Sequence, residues 1–203
     1  LIDEDPKSEE IIKPLIIGKD IKRYEVRQRD RSLIFTRRGI DIDQYPAVRE
    51  HLEQWREELE PKETRNESGP GRKPGDYEWY EIQDTIDYHQ EFEKPKIMWQ
   101  EIATYQAFAF SSDKLYTNNK CFIMPCADRG ILALLNAHLI WFQLSFSVSQ
   151  LRGGAYAMQS PHVKKIPIRR TFDTTPEQER QKEVEKLKNL CREAVSSSGP
   201  IGP

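Results

Sequence analysis

Basic side chains are the residues whose types and spacing most directly suggest chemistry in this chain. Eight bases and three acids lie between Lys19 and Arg38, and five bases with no acid lie between Leu151 and Phe172. The 203 residues carry a formal net charge of only -2, because acids concentrate at residues 3–10 and near residues 55 and 180. Such segregation allows a basic, phosphate-attracting face on a nearly neutral protein. Solvated strand edges and loops would produce the same runs, so this alternative stays open.

A second set of residues has the groups that read base edges in DNA. Arginine pairs with guanine, and asparagine or glutamine with adenine, each through two hydrogen bonds, and glycine lets a loop approach closely. The segment Arg152, Gly153 and Gly154 fits this description best. The other candidates for base reading are Gln100, Asn118, Asn119 and Gln159. A polar side chain on a solvated loop is an equal alternative for the two glutamines.

Candidates for phosphate contacts come from both basic stretches. They are Lys19, Lys22, Arg23, Arg37, Arg38, Lys164 and Lys165, with Arg152 as a further candidate, provided that they share a face. Asp20 lies between Lys19 and Arg23 and is predicted to orient these two bases rather than to contact DNA. The aromatic residues Trp79, Tyr80 and Trp99 could stack on bases, but we expect them to pack in the core.

Catalytic motifs are not found in the sequence. It contains no Gly-x-Gly-x-x-Gly, phosphate-binding loop, Gly-x-Ser-x-Gly or Asn-Pro-Pro-Tyr segment, and no strand-borne Asp/Glu-x-Lys cluster beside a proline-aspartate turn. The histidines are His51, His89, His138 and His162, and they lack the spacing of metal ligands. We therefore expect a chain that is not an enzyme by itself and that has no metal site or cofactor.

Cysteine content and hydropathy bear on where the protein resides. The three cysteines, Cys121, Cys126 and Cys191, include one Cys-x4-Cys pair with no second pair, so we expect reduced thiols. The sequence has neither the pattern of a signal peptide nor a continuous apolar run of about 20 residues. These features favour a soluble, cytoplasmic protein without a membrane partner. Because the first residue is Leu1, we expect the sequence to begin inside a longer polypeptide.

Apolar periodicity predicts the elements that would position these residues. Strands are predicted at residues 32–36, 77–82, 96–102, 106–110, 120–124 and 163–168. A helix is predicted over residues 46–60, where Val48, Leu52, Trp55 and Leu59 form one apolar stripe. A second helix, over residues 129–142, is apolar on several faces and is predicted to be buried.

The predicted fold is α+β, with a small, curved, mainly antiparallel sheet, packed helices and a C-terminal helix. Residues 1–12 are expected to be an acidic lead-in or linker, and residues 13–170 the main domain. Within it, residues 61–76 contain three prolines, three glycines and no apolar anchor, which predicts a mobile loop. Residues 171–195 are predicted to form the C-terminal helix, either packed or acting as a spacer, and residues 196–203 a flexible tail.

Several segments resemble, in order, the TaqI-like C-terminal specificity domain family. The first is the Gly-x-Asp-Ile-x-Arg-Tyr motif of residues 18–24, within residues 13–24. The others are the helix of residues 45–59, Trp79-Tyr80, residues 93–102, Phe108, Asn118-Asn119, residues 132–139, Arg152 to Tyr156, and residues 163–168. The loop of residues 61–76 departs from the family pattern, which puts in doubt any position-by-position transfer of base-reading residues.

The resemblance implies recognition of double-stranded DNA in a restriction-modification system. Members of the family follow an adenine-N6 methyltransferase domain in type IIG restriction enzymes and in related phage-defence methyltransferases. It therefore implies an N-terminal methyltransferase domain in the same polypeptide, with S-adenosylmethionine and possibly Mg²⁺ in the parent enzyme. Two alternatives remain. One is a protein-interaction domain in which the Leu and Trp stripes of the two outer helices bind a methyltransferase or DNA translocase partner, and the other is a nuclease or other hydrolase using scattered carboxylates.

Overall fold

Two three-stranded sheets form the centre of the computed structural model, which describes residues 1–166. In the first, β1 (Ile12–Ile16) lies between the antiparallel β4 (Ser32–Ile34) and the parallel β8 (Tyr116–Thr117). In the second, β5 (Lys96–Gln100) lies between β7 (Ala109–Ser111) and β9 (Cys121–Pro125), both antiparallel to it. The predicted strands at residues 32–36, 96–102 and 120–124 are thus confirmed in position, whereas only the last two residues of the strand predicted at residues 106–110 lie in a strand.

Two small antiparallel pairs complete the strands. β2 (Ile21–Lys22) pairs with β3 (Glu25–Val26), and β6 (Ile102–Ala103) pairs with β10 (Tyr156–Ala157). The α+β class and the mainly antiparallel pairing are confirmed, with the strands of residues 1–166 distributed over four small sheets.

Five α-helices accompany the sheets within residues 1–166. They are α1 (Pro46–Glu53), α2 (Arg56–Leu59), α3 (Arg129–Leu135), α4 (His138–Ser147) and α5 (Ser160–Val163). Short 3-10 turns are formed by Pro6–Glu10, Gly18–Asp20, Ile42–Gln44 and His89–Glu93. The single helix predicted over residues 46–60 is interrupted at Gln54 and Trp55, and the one predicted from residue 129 is two helices bent by 61°.

The bend between α3 and α4 has a local cause. Asp128 caps the start of α3 by accepting hydrogen bonds from the main-chain N–H groups of Gly130 and Ile131. At the other end, the Asn136 side chain donates to Leu132 O and bonds both main-chain polar groups of Phe108. A side chain committed to another segment in this way ends the helix.

Two predicted strands are wrong. Residues 77–82 form turns, because their carbonyl groups accept hydrogen bonds from the Arg72 guanidinium instead of pairing in a ladder. Residues 163–166 are the end of α5 and a following turn, since Pro161 occupies the first turn of that helix, where proline is favoured. The rest of that strand, the C-terminal helix, the tail and Cys191 lie outside the described residues.

The core consists of three hydrophobic clusters. Ile16, Ile21 and Met98 are fully buried members of the first cluster. Ile11, Ile42, Tyr45 and Val48 form a second cluster, and Phe35, Phe92 and Tyr116 a third. Trp79 and Trp99 are buried, which confirms their predicted core role, while Tyr80 is half-buried.

Helix α4 departs from its predicted burial. Leu139, Phe142 and Phe146 are 73%, 61% and 77% exposed, and they lie at the i, i+3, i+7 spacing of one helix face. Leu144 is the fully buried residue on the opposite side. Among residues 1–166, no single helix is long and apolar enough to cross a membrane, although α3 and α4 together pass by length and composition alone.

Candidate DNA-contacting surface

Several predicted base-reading and phosphate-contacting residues meet where three strands end. Since β1 and β8 are parallel, with Ile16 beside Thr117, the segments that follow them leave the sheet side by side. Gln100 ends β5, and a Cβ atom placed on Gly18 would lie 3.3 Å from the Gln100 Cβ. The structure therefore brings together Lys19, Gln100, Asn118 and Asn119, which we call the strand-end surface.

The side chains of the strand-end surface differ in how far they are already engaged. Lys19, Asn118 and Asn119 are exposed, whereas Gln100 is half-buried and its amide lies 3.5 Å from Ile21 O as a donor. Asn118 Oδ1 accepts a hydrogen bond from the Lys120 main-chain N–H at 3.1 Å. Lys19 and Asn119 therefore need the least rearrangement to meet a ligand.

An acid and a base missed by sequence reasoning flank this surface. Lys120 Nζ lies 3.0 Å from Glu101 Oε2, and the Glu101 main-chain N–H donates to Lys120 O at 2.8 Å. The ion pair partly offsets the charge that Lys120 would otherwise add. Its position directly after Asn118 and Asn119 was the available sequence signal.

Asp20 orients different bases from those predicted. Its side chain is fully buried, bonds to Arg31 and lies 3.2 Å from Arg29 Nε, while its Oδ2 accepts from the Ile17 main-chain N–H at 3.0 Å. Burial opposes ionisation, but the hydrogen bonds from Arg31 and Ile17 outweigh it and lower the pKa of Asp20. The prediction that Asp20 orients Lys19 and Arg23 is wrong, because the chain folds back and places Arg29 and Arg31 at the carboxylate.

The β2–β3 hairpin carries Lys22 and Arg23. Lys22 is half-buried in β2, and Arg23 Nη2 donates to Asn136 O at 2.9 Å, at the C-terminus of α3. Arg23 thus has a structural bond as well as an exposed surface. Asn136 lies within residues 132–139, one of the segments that resemble the family, but its residue type and position in the sequence give no signal of this contact.

The loop containing Arg152 is a hairpin turn ahead of β10. Gly153 and Gly154 have φ values of +83° and +77°, which glycine adopts without a side-chain penalty, and Leu151 N donates to Ala155 O at 2.7 Å. Arg152 and both glycines are exposed. The structure therefore presents the Arg152 side chain at an open hairpin tip.

Main-chain pairing connects this hairpin to the strand-end surface. Met158 N donates to Glu101 O at 2.7 Å, next to Gln100, so the exposed Gln159 begins beside that surface. Arg152 lies six positions before Met158, at most about 20 Å along an extended strand. Arg152 is therefore near the strand-end surface without forming part of it.

The remaining phosphate candidates lie elsewhere. Ile34 pairs with Ile12 at the start of β1, so Arg37 and Arg38 follow at the end of the sheet opposite to Lys19. Arg38 donates to Gln83 O at 3.1 Å, and its guanidinium lies 5.6 Å from the Tyr77 ring centroid. Lys164 and Lys165 are exposed after α5, not beside a strand. The DNA contacts of all these residues stay predictions.

The described residues offer little for catalysis at this surface. Burial, with a smaller contribution from Asp20, raises the pKa of the Cys121 thiol to about 12, which keeps it protonated and unreactive near neutral pH. Within residues 1–166, no group of three or more His, Cys, Asp or Glu side chains could hold a metal ion. Binding is the chemistry that this arrangement of amide and basic groups supports.

An α+β domain that presents amide and basic side chains from loops at its strand ends has the features of a recognition domain. This chain belongs to the TaqI-like C-terminal specificity domain family, whose model matches residues 13–168. Such domains recognise DNA targets in restriction-modification enzymes and are typically non-catalytic. No curated protein matches the chain.

Proposed function

We propose that the chain is the sequence-reading module of an adenine-N6 DNA methyltransferase of the type IIG kind, in a restriction or phage-defence system. In this proposal it binds double-stranded DNA and holds a methyltransferase domain, N-terminal in the same polypeptide, on its target site. That domain would hold S-adenosylmethionine, and Mg²⁺ if cleavage occurs, while this chain needs no cofactor. The proposal includes a cytoplasmic location, where the DNA substrate lies.

The observation that carries the proposal is the strand-end surface. Asn118 and Asn119 have amide groups suited to base edges, and Lys19 supplies a neighbouring positive charge for a phosphate. All three follow strands that are anchored in the buried core, so the groups are positioned before DNA binds. Preorganisation of this kind lowers the ordering cost of recognition.

The first experiment is selection of bound duplexes from a library with a randomised centre, using the 203-residue chain. We expect one sequence motif to be enriched, and the logarithm of affinity to fall linearly with the logarithm of salt concentration. Binding without any enriched motif would reduce the function to non-specific attachment. A salt slope near zero would remove the DNA-binding proposal.

The second experiment separates base reading from phosphate contacts. Arg152→Ala should cost about 1–3 kcal/mol on the selected site and relax the preference at one base pair. Lys164→Ala should weaken all sequences alike and lower the salt slope by about one unit. Arg49→Ala is the matched control, since this exposed arginine on α1 is paired with Asp43. Equal weakening of all sequences by Arg152→Ala would show that its loop does not read a base.

The exposed face of α4 favours protein interaction as a second candidate function. Leu139, Phe142 and Phe146 lie within residues 131–150, a stretch without any Asp, Glu, Lys or Arg. An apolar face of this kind is typical of a protein contact, and the methyltransferase domain is the partner we propose for it. Leu139→Ser with Phe146→Ser should weaken association with that domain and leave the salt slope of DNA binding unchanged. Loss of DNA binding with unchanged association with the methyltransferase domain would instead assign the exposed face of α4 to DNA contact.

A further inference from the structure

Tyr24 has an unusual backbone conformation at the tip of the β2–β3 hairpin. Its φ is +66°, the only positive value among the non-glycine residues of the described chain, and its side chain is 51% exposed. Residues with a Cβ atom are disfavoured in this left-handed region. A half-exposed ring recovers little of that cost by packing, so the position presents an aromatic ring where glycine would fit the backbone better.

Three hydrogen bonds hold the tip in place. The Tyr24 main-chain N–H donates to Phe108 O at 2.9 Å, and the buried Asn136 amide donates to the same oxygen at 2.8 Å. The neighbouring Arg23 donates to Asn136 O at 2.9 Å. The hairpin tip is therefore attached to Phe108, directly before β7, and to the end of α3, which fixes the backbone from which the ring projects.

The surroundings of the ring favour an anionic polymer with flat bases. The Arg23 guanidinium carbon lies 5.4 Å from the ring centroid, and Lys22 precedes it in β2. Glu25 is the neighbouring acid, and it is paired with Arg27 at 2.9 Å. Positive groups that could meet phosphates thus flank an aromatic face that could meet a base.

We propose that Tyr24 is a DNA contact whose ring inserts at the edge of the bound site and stacks on a base that bending of the duplex has partly unstacked. The inference rests on the proposed function, since it needs DNA on this side of the domain. Tyr24 is not among the candidates for base reading, because those were chosen for hydrogen bonds to base edges, whereas stacking uses the face of a base. The strain held at Tyr24 is then explained by the position that the ring must occupy.

The test compares three variants of the full chain on one duplex, the site enriched in the selection. Tyr24→Gly should lower affinity about 5- to 150-fold, the range expected for one aromatic–base stack. It should not lower the melting temperature, because glycine accepts the left-handed backbone. Tyr24→Phe should keep wild-type affinity, since it retains the ring. Trp55→Ala removes an aromatic side chain that is 54% exposed among acids and should change nothing.

Photo-crosslinking gives a second, positional measurement. Irradiation of the wild-type chain on duplex with 5-iodouracil in place of thymine should attach DNA to the tryptic peptide of residues 24–27, in which Tyr24 is the one aromatic residue. Unchanged affinity of Tyr24→Gly in a chain that binds DNA would overturn this inference alone. Equal losses in Tyr24→Phe and Tyr24→Gly would also overturn it, in favour of a hydroxyl–phosphate contact. A wild-type chain that binds no DNA would overturn the proposed function together with this inference.

Discussion

Replacing Asn136 by alanine should destabilise the domain and loosen the hairpin that carries Tyr24. The Asn136 side chain is fully buried, accepts from Phe108 N at 3.1 Å, and donates to Phe108 O at 2.8 Å and Leu132 O at 3.3 Å. One side chain thus joins the end of α3 to the segment before β7. Removing it affects two distant parts of the chain at once.

The structure indicates which groups would lose their partner. Phe108 O keeps the hydrogen bond from Tyr24 N, and Leu132 O keeps the one from Asn136 N at 3.2 Å. The Phe108 N–H has no such second partner and would be left unpaired in the core, at a cost of about 1–3 kcal/mol. With about 0.5–1.5 kcal/mol for each of the two lost amide bonds, we expect Asn136→Ala to lower the free energy of unfolding by about 2–6 kcal/mol.

Asn136→Asp distinguishes the donor from the acceptor role. A carboxylate can still accept from Phe108 N–H, but it faces two carbonyl oxygens and is buried, so its pKa in the folded state should rise above the unfolded value. The stability of this variant should therefore be highest at acid pH and be lost as the pH rises through the folded pKa. Near pH 8 we expect it to be no more stable than Asn136→Ala.

Urea denaturation of the two variants and wild type, each compared at the same pH, measures these effects. Asn119→Ala is the matched control, an exposed asparagine whose loss should change the free energy of unfolding by no more than about 0.5 kcal/mol. DNA affinity should fall in Asn136→Ala, because the attachment of the Tyr24 hairpin is weakened. A stability of Asn136→Ala within about 0.5 kcal/mol of wild type would refute the reasoning, as would pH-independent behaviour of Asn136→Asp.

Three further predictions concern the buried charges of Lys96 and Asp20 and the half-buried charge of Arg72. Burial lowers the pKa of Lys96 to about 8. The free energy of unfolding of wild type should therefore rise relative to that of Lys96→Met by up to about 3 kcal/mol between pH 8 and 10.5, because the unfolded state loses its extra proton over this range. Equal pH profiles of the two proteins in urea denaturation would contradict this. The pKa of Asp20 is lowered, so the advantage of wild type over Asp20→Asn in unfolding free energy should be present above about pH 4 and shrink as the pH falls further. Arg72 donates to Leu59 O at 2.6 Å and to Glu81 O and Trp79 O at 2.7 Å, so Arg72→Ala should lower the melting temperature and speed proteolysis of residues 61–76. Arg72→Lys should fail to restore either, since one ammonium group lacks the planar, forked donors of a guanidinium, and full rescue would show that charge alone suffices.

Local sequence patterns determined the strands and helices that are marked by a run or stripe of apolar residues within the element itself. The strands of β5 and β9 follow from short β-branched and aromatic runs, and the start of α1 follows from Pro46 and its apolar stripe. The family resemblance over residues 13–168 was likewise visible in the order of its segments. These features need no knowledge of which distant residues meet.

Tertiary structure alone decided the features that depend on hydrogen bonds between distant segments. Arg72 converts the run after Tyr77 from a predicted strand into turns, and it also anchors a loop that contains no apolar residue. Asn136 ends a helix that hydropathy would continue, because its amide bonds Phe108, 28 residues away. Neither set of hydrogen bonds can be predicted from the periodicity of apolar residues.

For the strand-end surface, too, the sequence determined the residue types and the tertiary structure determined which residues meet. Residue types selected Lys19, Asn118 and Asn119 from the sequence, but their meeting depends on the parallel pairing of β1 with β8 across about 100 residues. The antiparallel pairing of β1 with β4 carries Arg37 to the opposite end of the sheet, although it lies closer to Lys19 in sequence. Side-chain chemistry can be read from the sequence, whereas the sharing of one face is set by strand direction and register, which only the packed fold determines.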